Sequence, residues 1–294
     1  MAKPFVKWAG GKGKLLKTLE KYLPSDFERQ ESITYIEPFV GGGAMLFYML
    51  EQYKNINKVI INDINPELIA CYRQIQNEHE NLIQELRELE NKHLSYKSHE
   101  ERRKDYEANR DEYNELHLSK DSANLFEVRK IALFIFLNKT CFNGLYRENR
   151  RGIFNVPFGR YAHPTICNEG QIIEAHNALQ GVQILNDDYH VIKVNPNEYS
   201  FVYIDPPYKP LPGSNNFKDY TKFVFGDEQQ IELKLYCDEL TKQNAKIMVS
   251  NSFCEDFFKE LYQGYSFQAV LAPRYINAFA ANRNPIYELL IKNY

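Results

Sequence analysis

The sequence predicts an α/β protein built on a mostly parallel β-sheet, with a ligand site at the carboxyl ends of its central strands. Three short and mostly apolar segments, each ending in a polar or glycine-rich turn, indicate these strands: residues 33–36, 58–61 and 201–204, the last of which is wholly apolar. Continuous apolar runs of this kind are typical of strands that are buried on both faces. In open α/β sheets, ligands bind just beyond the carboxyl ends of such strands. The three turns are therefore the first candidates for functional residues.

The run Phe201-Val202-Tyr203-Ile204 is stopped by Asp205-Pro206-Pro207-Tyr208. Prolines cannot extend a hydrogen-bonded ladder, so the chain must leave the sheet there. The Asp205 carboxylate and the Tyr208 phenol are thereby placed at the ligand-binding edge. By itself, the tetrapeptide has a simpler interpretation, a proline turn with a solvated Asp; the upstream motifs favour a functional one.

The first run leads into a glycine-rich loop and a helix. Glu37-Pro38-Phe39-Val40-Gly41-Gly42-Gly43-Ala44 follows residues 33–36, and the apolar residues that come next keep a helical period. Strand, glycine loop and helix begin a nucleotide-binding βαβ unit. The dinucleotide fingerprint requires a small residue where Leu46 stands, which disfavours a pyrophosphate ligand and a nicotinamide oxidoreductase.

Two further features of the amino-terminal part suit the same kind of ligand. Asp63 ends the second strand, about twenty residues after the glycines, where a carboxylate can accept hydrogen bonds from ribose hydroxyls. The competing interpretation is an Asp63 that caps a helix in an ordinary connection. Trp8-Ala9-Gly10-Gly11-Lys12-Gly13 allows a sharp turn and adds a mobile positive charge, although alone it predicts only a flexible turn before a helix. Together these features favour an adenosine-containing ligand.

Residues 66 to 137 interrupt the alternation of strands and helices. Apolar residues from Ile69 to Leu89 keep a helical period, residues 97–121 are highly charged, and residues 123–137 are apolar. We predict a helical insertion between the second and third strands of the sheet. The charged segment is expected to be a solvated face, and residues 123–137 a buried helix.

Residues 138–161 are basic and rich in turn signals. They contain five basic residues against Glu148 alone, although the whole chain has a net charge of −3. Asn143-Gly144 and Arg151-Gly152 mark turns, and Ile153, Phe154 and Val156 are predicted to form the second arm of a β-hairpin. Arg and Asn side chains can read base edges or bind phosphates. An ordinary basic surface is the alternative, and the concentrated charge favours nucleic acid.

The second half returns to alternating elements. Strands are predicted at 182–185, 245–249, 267–271 and 287–291, the last two as a closing pair, and helices at 231–240 and 253–261. Residues 209–226 form a Pro/Gly/Asn-rich loop, long enough for a lid or a disordered segment. Arg274 and Arg283 flank the loop between the last two strands.

Composition narrows the class of protein. The five cysteines form no Cys-x-x-Cys pair, which disfavours zinc ribbons and redox motifs and favours a reducing cytoplasm. Residues 1–4 begin no signal peptide, and the apolar run 131–137 is too short to span a bilayer. We therefore expect a cytoplasmic protein with no membrane segment and no metal centre.

In this order, the motifs resemble the Dam-type DNA adenine-N6 methyltransferases. The matching segments are residues 5–12, 37–44, 61–63, 143–147, 152–161 and 205–208, and the resemblance continues through residues 274–283 to the carboxyl terminus. It implies a Rossmann-like, seven-stranded mixed sheet that binds S-adenosylmethionine and releases S-adenosylhomocysteine. It also implies a discontinuous catalytic domain, 1–65 and 164–294, with a target-recognition insertion, 66–163, that carries the hairpin 138–161.

The resemblance also implies the roles of individual residues. Asp205, Pro206, Pro207 and Tyr208 are the expected catalytic residues. Cofactor contacts are expected at Trp8, Lys12, Glu37, Phe39, Gly41, Gly43, Asp63, Asp188 and Asp205. The target is expected to be GATC in double-stranded DNA, with Arg147 reading an outer guanine. Further DNA contacts are expected at Lys7, Asn143, Leu145, Pro157 and Tyr161.

Several alternatives remain open at this point. Within enzymes, they are methylation of adenine in another sequence, of cytosine N4, or of RNA, since the Asp of Asp-Pro-Pro-Tyr suits several exocyclic amines. A DNA-binding protein without activity is an alternative of another class, disfavoured by the intact Asp205 and Tyr208. We expect a monomer or weak dimer, and a restriction–modification system would add a cognate endonuclease as a functional partner.

Overall fold

The computed structural model describes residues 2–118, 127–210, 225–272 and 286–294. Within these residues, the strands are β1 (Ile33–Glu37), β2 (Ile56–Asn62), β3 (Gln183–Leu185), β4 (Ser200–Ile204), β5 (Lys246–Ser252), β6 (Ser266–Ala272) and β7 (Ile286–Lys292). The α-helices are α1 (Leu16–Glu20), α2 (Ala44–Gln52), α3 (Pro66–Ser95), α4 (His99–Leu118), α5 (Glu127–Thr140), α6 (Glu169–Ala178), α7 (Asp227–Lys242) and α8 (Glu255–Leu261).

The seven strands form one mixed sheet in the order β3-β2-β1-β4-β5-β7-β6. The first five strands of this order are parallel, and β7 runs antiparallel between β5 and β6. The predicted closing pair is thereby confirmed. Because the chain proceeds from β1 to β2 on one side and from β4 to β5 on the other, the order reverses between β1 and β4. Such a reversal opens a crevice at the carboxyl ends of the two strands.

The central strands are buried because both faces of the sheet are covered. Every residue of β1 and β4 is buried, as expected for parallel strands packed between helices. One apolar core continues from β1 and β2 into α3 and α5, where Leu133 and Phe136 are fully buried. A second core on the other face joins β4 and β5 to α7 and α8.

A helical segment lies between β2 and β3 in the chain, as predicted. Asn65 caps α3 by accepting a hydrogen bond from the Leu68 N–H at 3.0 Å, and Pro66 occupies the first turn, where its missing N–H costs nothing. Ser98 and Glu101 form a reciprocal capping box that begins α4, with bonds of 3.0 and 3.1 Å. The helix predicted at 123–137 is α5, and residues 119–126 lie outside the described part of the chain.

The charged segment 97–121 is more than the solvated face that its composition predicts. Helix α4 buries Asp105, Tyr106, Asn109, Tyr113 and Asn114. The charged positions between these residues are exposed or half-buried, so the helix is amphipathic with polar as well as aromatic buried groups. Composition averaged over the segment conceals this pattern.

The predicted β-hairpin at 138–161 is correct in its course but wrong in its secondary structure. Two isolated antiparallel bridges, Cys141 with Phe158 and Glu148 with Phe154, replace a regular ladder. Asn114 of α4 instead bonds both backbone groups of Phe154, at 2.8 and 3.1 Å. The second arm therefore pairs with helix side chains as well as with the first arm, to which it is joined by the Asn149 N–H bond to the Ile153 carbonyl at 2.9 Å and the Asn155 N–H bond to the Arg147 carbonyl at 3.2 Å. We call residues 141–161 the recognition loop.

Two predicted loops fall mostly outside the described residues: the segment 211–224 of the Pro/Gly/Asn-rich loop, and residues 273–285, which include Arg274 and Arg283. Within the four described ranges, no helix combines the length and apolar character needed to cross a membrane.

Candidate active site

Asp205 follows β4 at the crevice where the strand order reverses. Its Oδ1 atom lies 3.0 Å from Nζ of Lys12, and the two side chains are 18% and 4% exposed. Burial raises the pKa of Asp205 to about 6, and the Lys12 charge opposes this rise. Asp205 is therefore an ionised acceptor at neutral pH.

The Lys12 ammonium connects the amino-terminal glycine segment, residues 8–13, to the crevice. Besides Asp205, it donates to the Gly10 carbonyl at 3.1 Å and lies 4.5 Å from the centre of the Tyr208 ring. Glu288 Oε2 is 3.6 Å away. The ammonium thus stands between the carboxylate of Asp205 and the aromatic face of Tyr208.

Tyr208 is oriented by two residues that the sequence analysis missed. Its hydroxyl donates to Glu288 Oε2 of β7 at 2.8 Å and shares a hydrogen bond of 2.9 Å with Ser250 of β5. Ser250 also donates to Glu288 at 3.3 Å. The available signal was an acidic residue, Glu288, in an otherwise apolar strand, where a buried carboxylate requires partners.

The backbone after Asp205 is held by polar side chains from α7 and β5. Gln230 donates to the Pro207 carbonyl at 3.2 Å, and Asn251 accepts from the Lys209 N–H at 3.1 Å. Asn251 and Gln230 are joined to each other at 3.1 Å. Ser252 donates to the Lys209 carbonyl at 2.6 Å. The loop 205–210 is therefore positioned from several sides.

The glycine loop after β1 is shaped by Asp63. One carboxylate oxygen accepts the Gly41 N–H at 3.0 Å and the other accepts the Asn65 N–H at 2.9 Å. Burial raises the pKa of Asp63, and these two bonds oppose the rise. Each oxygen can accept a second hydrogen bond, so the carboxylate can still bind a hydroxyl.

Trp8 and Tyr72 close over the glycine loop. Gly41 and Gly43 have φ angles of +49° and +73°, in the left-handed region. A Cβ atom at Gly41 would lie 2.9 Å from Trp8 Cδ1, and one at Gly43 only 2.4 Å from the Tyr72 hydroxyl. Both glycines are required for conformation and for space.

Glu37, Phe39 and Asp188 lie around the same end of the sheet. Glu37 is buried at the end of β1, where it accepts a 2.8 Å hydrogen bond from Tyr35 and burial raises its pKa well above the usual range. Phe39 packs on Tyr189, with ring centres 5.1 Å apart.

Asp188 is exposed and is joined to its own turn. Its carboxylate accepts from the His190 backbone at 2.9 Å and contacts the His190 ring nitrogen at 2.5 Å. Asn62 and Asn186 connect this turn to the glycine loop, through bonds to the Asp187 and Asp63 carbonyls at 3.0 and 2.9 Å. The expected cofactor residues thus share one edge of the sheet.

The expected DNA-contact residues lie on the recognition loop, except Lys7, which packs against it. The backbone of Lys7 is held by Asn138 through two bonds of 2.8 Å, and its ammonium lies 4.8 Å from the centre of the Tyr161 ring. Asn143 adopts a left-handed conformation with φ of +57°. Gly144 packs so closely on Lys7 that a Cβ atom there would lie 2.5 Å from Lys7 Cδ.

The remaining expected contacts lie along the arms of the recognition loop. The Arg147 guanidinium donates to the Asn155 side chain at 2.7 Å and to its carbonyl at 3.1 Å. Leu145 is half-buried and Pro157 is exposed. Phe142, which the sequence analysis missed, is 50% exposed beside Asn143.

Lys139 is a second cation that was not assigned from the sequence. Burial and the nearby charge of Lys7 lower its pKa to about 8. In the part of the chain that the structure describes, neither ammonium pairs with a carboxylate. Two neighbouring ammonium groups, of which Lys139 is partly buried, favour an anionic ligand.

Comparison of the sequence with known proteins identifies the family to which the chain belongs. The family of D12 class N6 adenine-specific DNA methyltransferases matches residues 8–275. The chain belongs to this family. Membership implies that it acts on DNA with S-adenosylmethionine as methyl donor, which excludes the oxidoreductase alternative.

Several relatives match over almost their whole length. The chain is 46% identical to "Type II methyltransferase M.MjaIII" of Methanocaldococcus jannaschii, over 99% of each chain. It is 36% identical to "Type II methyltransferase M.CviBI" of Paramecium bursaria Chlorella virus NC1A, over 90% of this chain and 87% of that one. It is 31% identical to the "DNA adenine methylase" of Escherichia coli K12, over 97% and 93%.

Proposed function

We propose that this member of the family methylates N6 of an adenine that is flipped out of double-stranded DNA, in the sequence GATC. The observation that carries the proposal is the position of the Lys12 ammonium, 3.0 Å from Asp205 and 4.5 Å from the Tyr208 ring centre. The Lys12 nitrogen, which carries hydrogens, therefore lies between a hydrogen-bond acceptor, Asp205, and an aromatic face, that of Tyr208. An adenine amino group requires the same two partners.

The roles of the catalytic residues follow from this arrangement. The N6 lone pair of adenine is delocalised into the ring, which makes the nitrogen a poor nucleophile. Asp205 and the Pro206 carbonyl accept its two N–H hydrogens and favour a more tetrahedral nitrogen. Tyr208 stacks on the base, and Pro207 keeps the turn in place. Asp205 receives the proton late in the transfer, so the contribution is mainly positioning and electrostatic.

Lys12 must leave Asp205 when the base enters. Glu288 Oε2 lies 3.6 Å from the ammonium. This second carboxylate can pair with Lys12 after it leaves Asp205, so the ammonium need not move into solvent. The displaced lysine would remain beside the crevice, where the expected cofactor contact is made. Glu288 would then balance Lys12 and hold the Tyr208 hydroxyl at the same time.

The residues around the glycine loop fit S-adenosylmethionine, which supplies an electrophilic methyl group when bound. The left-handed conformations of Gly41 and Gly43 shape the loop beside the crevice, and Asp63 retains acceptor capacity for ribose hydroxyls. Phe39 and Asp188 suit the adenine, and Trp8 and Glu37 line the same region. Among the described residues at the crevice, the two carboxylates of Asp205 and Glu288 face one ammonium, that of Lys12. An excess of negative charge suits a sulfonium cation.

The recognition loop suits DNA by its charge and exposure. Arg147 would replace its hydrogen bonds to Asn155 with hydrogen bonds to an outer guanine, since a guanidinium can donate to both acceptors of a guanine edge. Lys7, Asn143, Leu145, Pro157 and Tyr161 would position the site. Phe142 has the exposure expected of an apolar side chain that wedges between base steps. A base inside the duplex cannot reach Asp205, so flipping is required.

We further propose that residues 66–163 form the recognition part, and that 1–65 and 164–294 form the catalytic part. The names of the type II relatives support a restriction–modification role with a cognate endonuclease. We propose that the protein acts in the cytoplasm as a monomer or weak dimer.

Methyl transfer from labelled S-adenosylmethionine tests the proposal. Duplexes with one GATC site are compared with duplexes in which each base pair is changed singly, and the labelled nucleoside is identified after digestion. We expect N6-methyladenine, formed on GATC alone. Preference for another sequence would overturn the GATC assignment, and N4-methylcytosine would overturn the choice of base.

A further inference from the structure

A buried ionic network joins the recognition loop to the segment that shapes the glycine loop. At its centre is His117, in the last turn of α4. Its Nδ1 atom lies 2.9 Å from Glu67 Oε1, and its Nε2 atom lies 3.3 Å from Glu148 Oε1. The three side chains are 15%, 7% and 19% exposed. A neutral imidazole carries one N–H, so only the imidazolium can donate to both carboxylates.

One arm of the network reaches the cofactor side. Glu67 lies in the first turn of α3, just beyond Asp63, whose carboxylate holds the Asn65 and Gly41 N–H groups. Lys130 of α5 also contacts Glu67 Oε1, at 3.3 Å. The other oxygen of Glu67 is buried and has no hydrogen-bond partner among the described residues. The position of this turn therefore depends on the charges that face Glu67 Oε1.

The other arm reaches the recognition loop and returns to the glycine loop. Glu148 accepts a hydrogen bond from the Tyr146 hydroxyl and directly follows Arg147. The Tyr146 ring stacks on Trp8, with centres 5.8 Å apart and planes 22° apart. Trp8 in turn covers Gly41. The contacts form a closed circuit that contains both the glycine loop and the loop expected to read DNA.

We propose that His117 is a positioning residue that couples cofactor binding to target recognition. The inference rests on the proposed function, because it assigns ligands to the two ends of the circuit. A ligand that orders the glycine loop would fix Glu67 and Trp8, and through His117 and Tyr146 would fix Glu148 beside Arg147. By thermodynamic linkage, DNA must then tighten cofactor binding by the same factor.

The charge of His117 is maintained by its surroundings. The two carboxylates raise the pKa of His117 to about 9, against the effect of burial. The groups that face the imidazole are Glu67 from α3, Lys130 behind it from α5, Tyr113 stacked at 5.5 Å on α4, and Glu148 with Tyr146 from the recognition loop. His117→Gln removes the charge and can donate to only one carboxylate at a time in this geometry.

The test is a binding cycle with full-length protein. Affinity for S-adenosylhomocysteine is measured with and without a saturating duplex that carries the methylated target identified above, and duplex affinity with and without S-adenosylhomocysteine. For the unsubstituted protein we expect a coupling factor of about 5 or more. For His117→Gln we expect a factor below about 2, with no more than about a threefold change in cofactor affinity without DNA. His163→Gln, an exposed histidine of the same insertion, is the matched control.

Glu148→Gln is the second variant, for use if His117→Gln does not fold. The coupling factor of the unsubstituted protein should also decrease between pH 7 and pH 9.5, and that of His117→Gln should not. We compare the coupling factor and not the duplex affinity itself. Lys139, whose pKa is about 8, loses its charge in the same pH range and changes the duplex affinity of both proteins.

Two results would overturn the inference: a factor near 1 in the unsubstituted protein, or an unchanged factor in the folded variants. A purely structural role would weaken both affinities and leave their coupling intact. Failure of the unsubstituted protein to methylate DNA would count against the proposed function instead, and is measured separately.

Discussion

The loop that carries Asp205 and the recognition loop are both irregular segments, yet they are held in different ways. Residues 205–210 are fixed by buried side chains from three elements, among them Gln230, Ser250 and Glu288. The recognition loop has two isolated bridges, and its first turn exposes half of Phe142.

The difference corresponds to what each loop must do. Group transfer loses rate steeply when reacting atoms are misplaced by about 1 Å, so a loop that holds an acceptor benefits from fixed partners. Base and phosphate contacts are completed only when DNA arrives, so a reading loop must leave side chains exposed. Substitutions should therefore affect turnover in the first loop and sequence choice in the second.

Asp205→Ala should have the largest effect, because it removes the acceptor for the amino group. We expect single-turnover methyl transfer at saturating S-adenosylmethionine to fall roughly 100- to 1,000-fold. Asp256→Ala, on the exposed side of α8, is the control. Wild-type turnover in folded Asp205→Ala would remove Asp205 from the mechanism.

Arg147→Ala should lower kcat/KM on GATC duplexes by roughly 5- to 150-fold, the range expected for one lost base contact. The decrease should be smaller on duplexes with a changed outer guanine, and affinity for S-adenosylhomocysteine without DNA should stay within a few fold. Arg103→Ala, which removes exposed ion pairs on α4, is the control. A uniform loss across all duplexes would indicate a phosphate contact instead.

Glu288→Gln should lower kcat about tenfold, since Lys12 loses its second carboxylate and the Tyr208 hydroxyl loses a charged acceptor. Duplex discrimination should not change, which separates this variant from Arg147→Ala. Steady-state kinetics beside the exposed control Glu260→Gln measure the effect. A changed target-sequence preference in Glu288→Gln would contradict the assignment of turnover to the loop 205–210 and of sequence choice to the recognition loop.

The smallest expected effect concerns stability and pH. The pKa of His117 is raised in the folded state, to about 9 from an ordinary 6.5. Its contribution to the free energy of unfolding is therefore complete below pH 6.5 and is lost as pH rises through 9. After allowance for solvent screening, we expect a loss of roughly 1–2 kcal/mol. Urea unfolding at pH 6 and pH 9.5 should show this loss in the unsubstituted protein and not in His117→Gln.

Much of the site could be predicted because its residues lie where strands end. The runs before Glu37, Asp63 and Asp205 predicted three parallel strands, and parallel strands bring their carboxyl ends to one edge. Glu288 and Ser250 escaped prediction because they lie within strands, where the sequence does not show which neighbour they face. The recognition loop has isolated bridges in place of a regular ladder, and the sequence could not show that Asn114, distant in the chain, holds the Phe154 backbone.

By itself, the sequence determined the α/β alternation, the place of the helical insertion, and the order of the glycine, recognition and Asp-Pro-Pro-Tyr motifs. These depend on local properties: apolar periodicity, turn residues, and prolines that end a strand. Only the tertiary structure decided that Lys12 lies between Asp205 and Tyr208, and that His117 joins Glu67 to Glu148. Those contacts link residues far apart in the chain, and they form only when packing of the sheet and helices brings buried charges within reach of their partners.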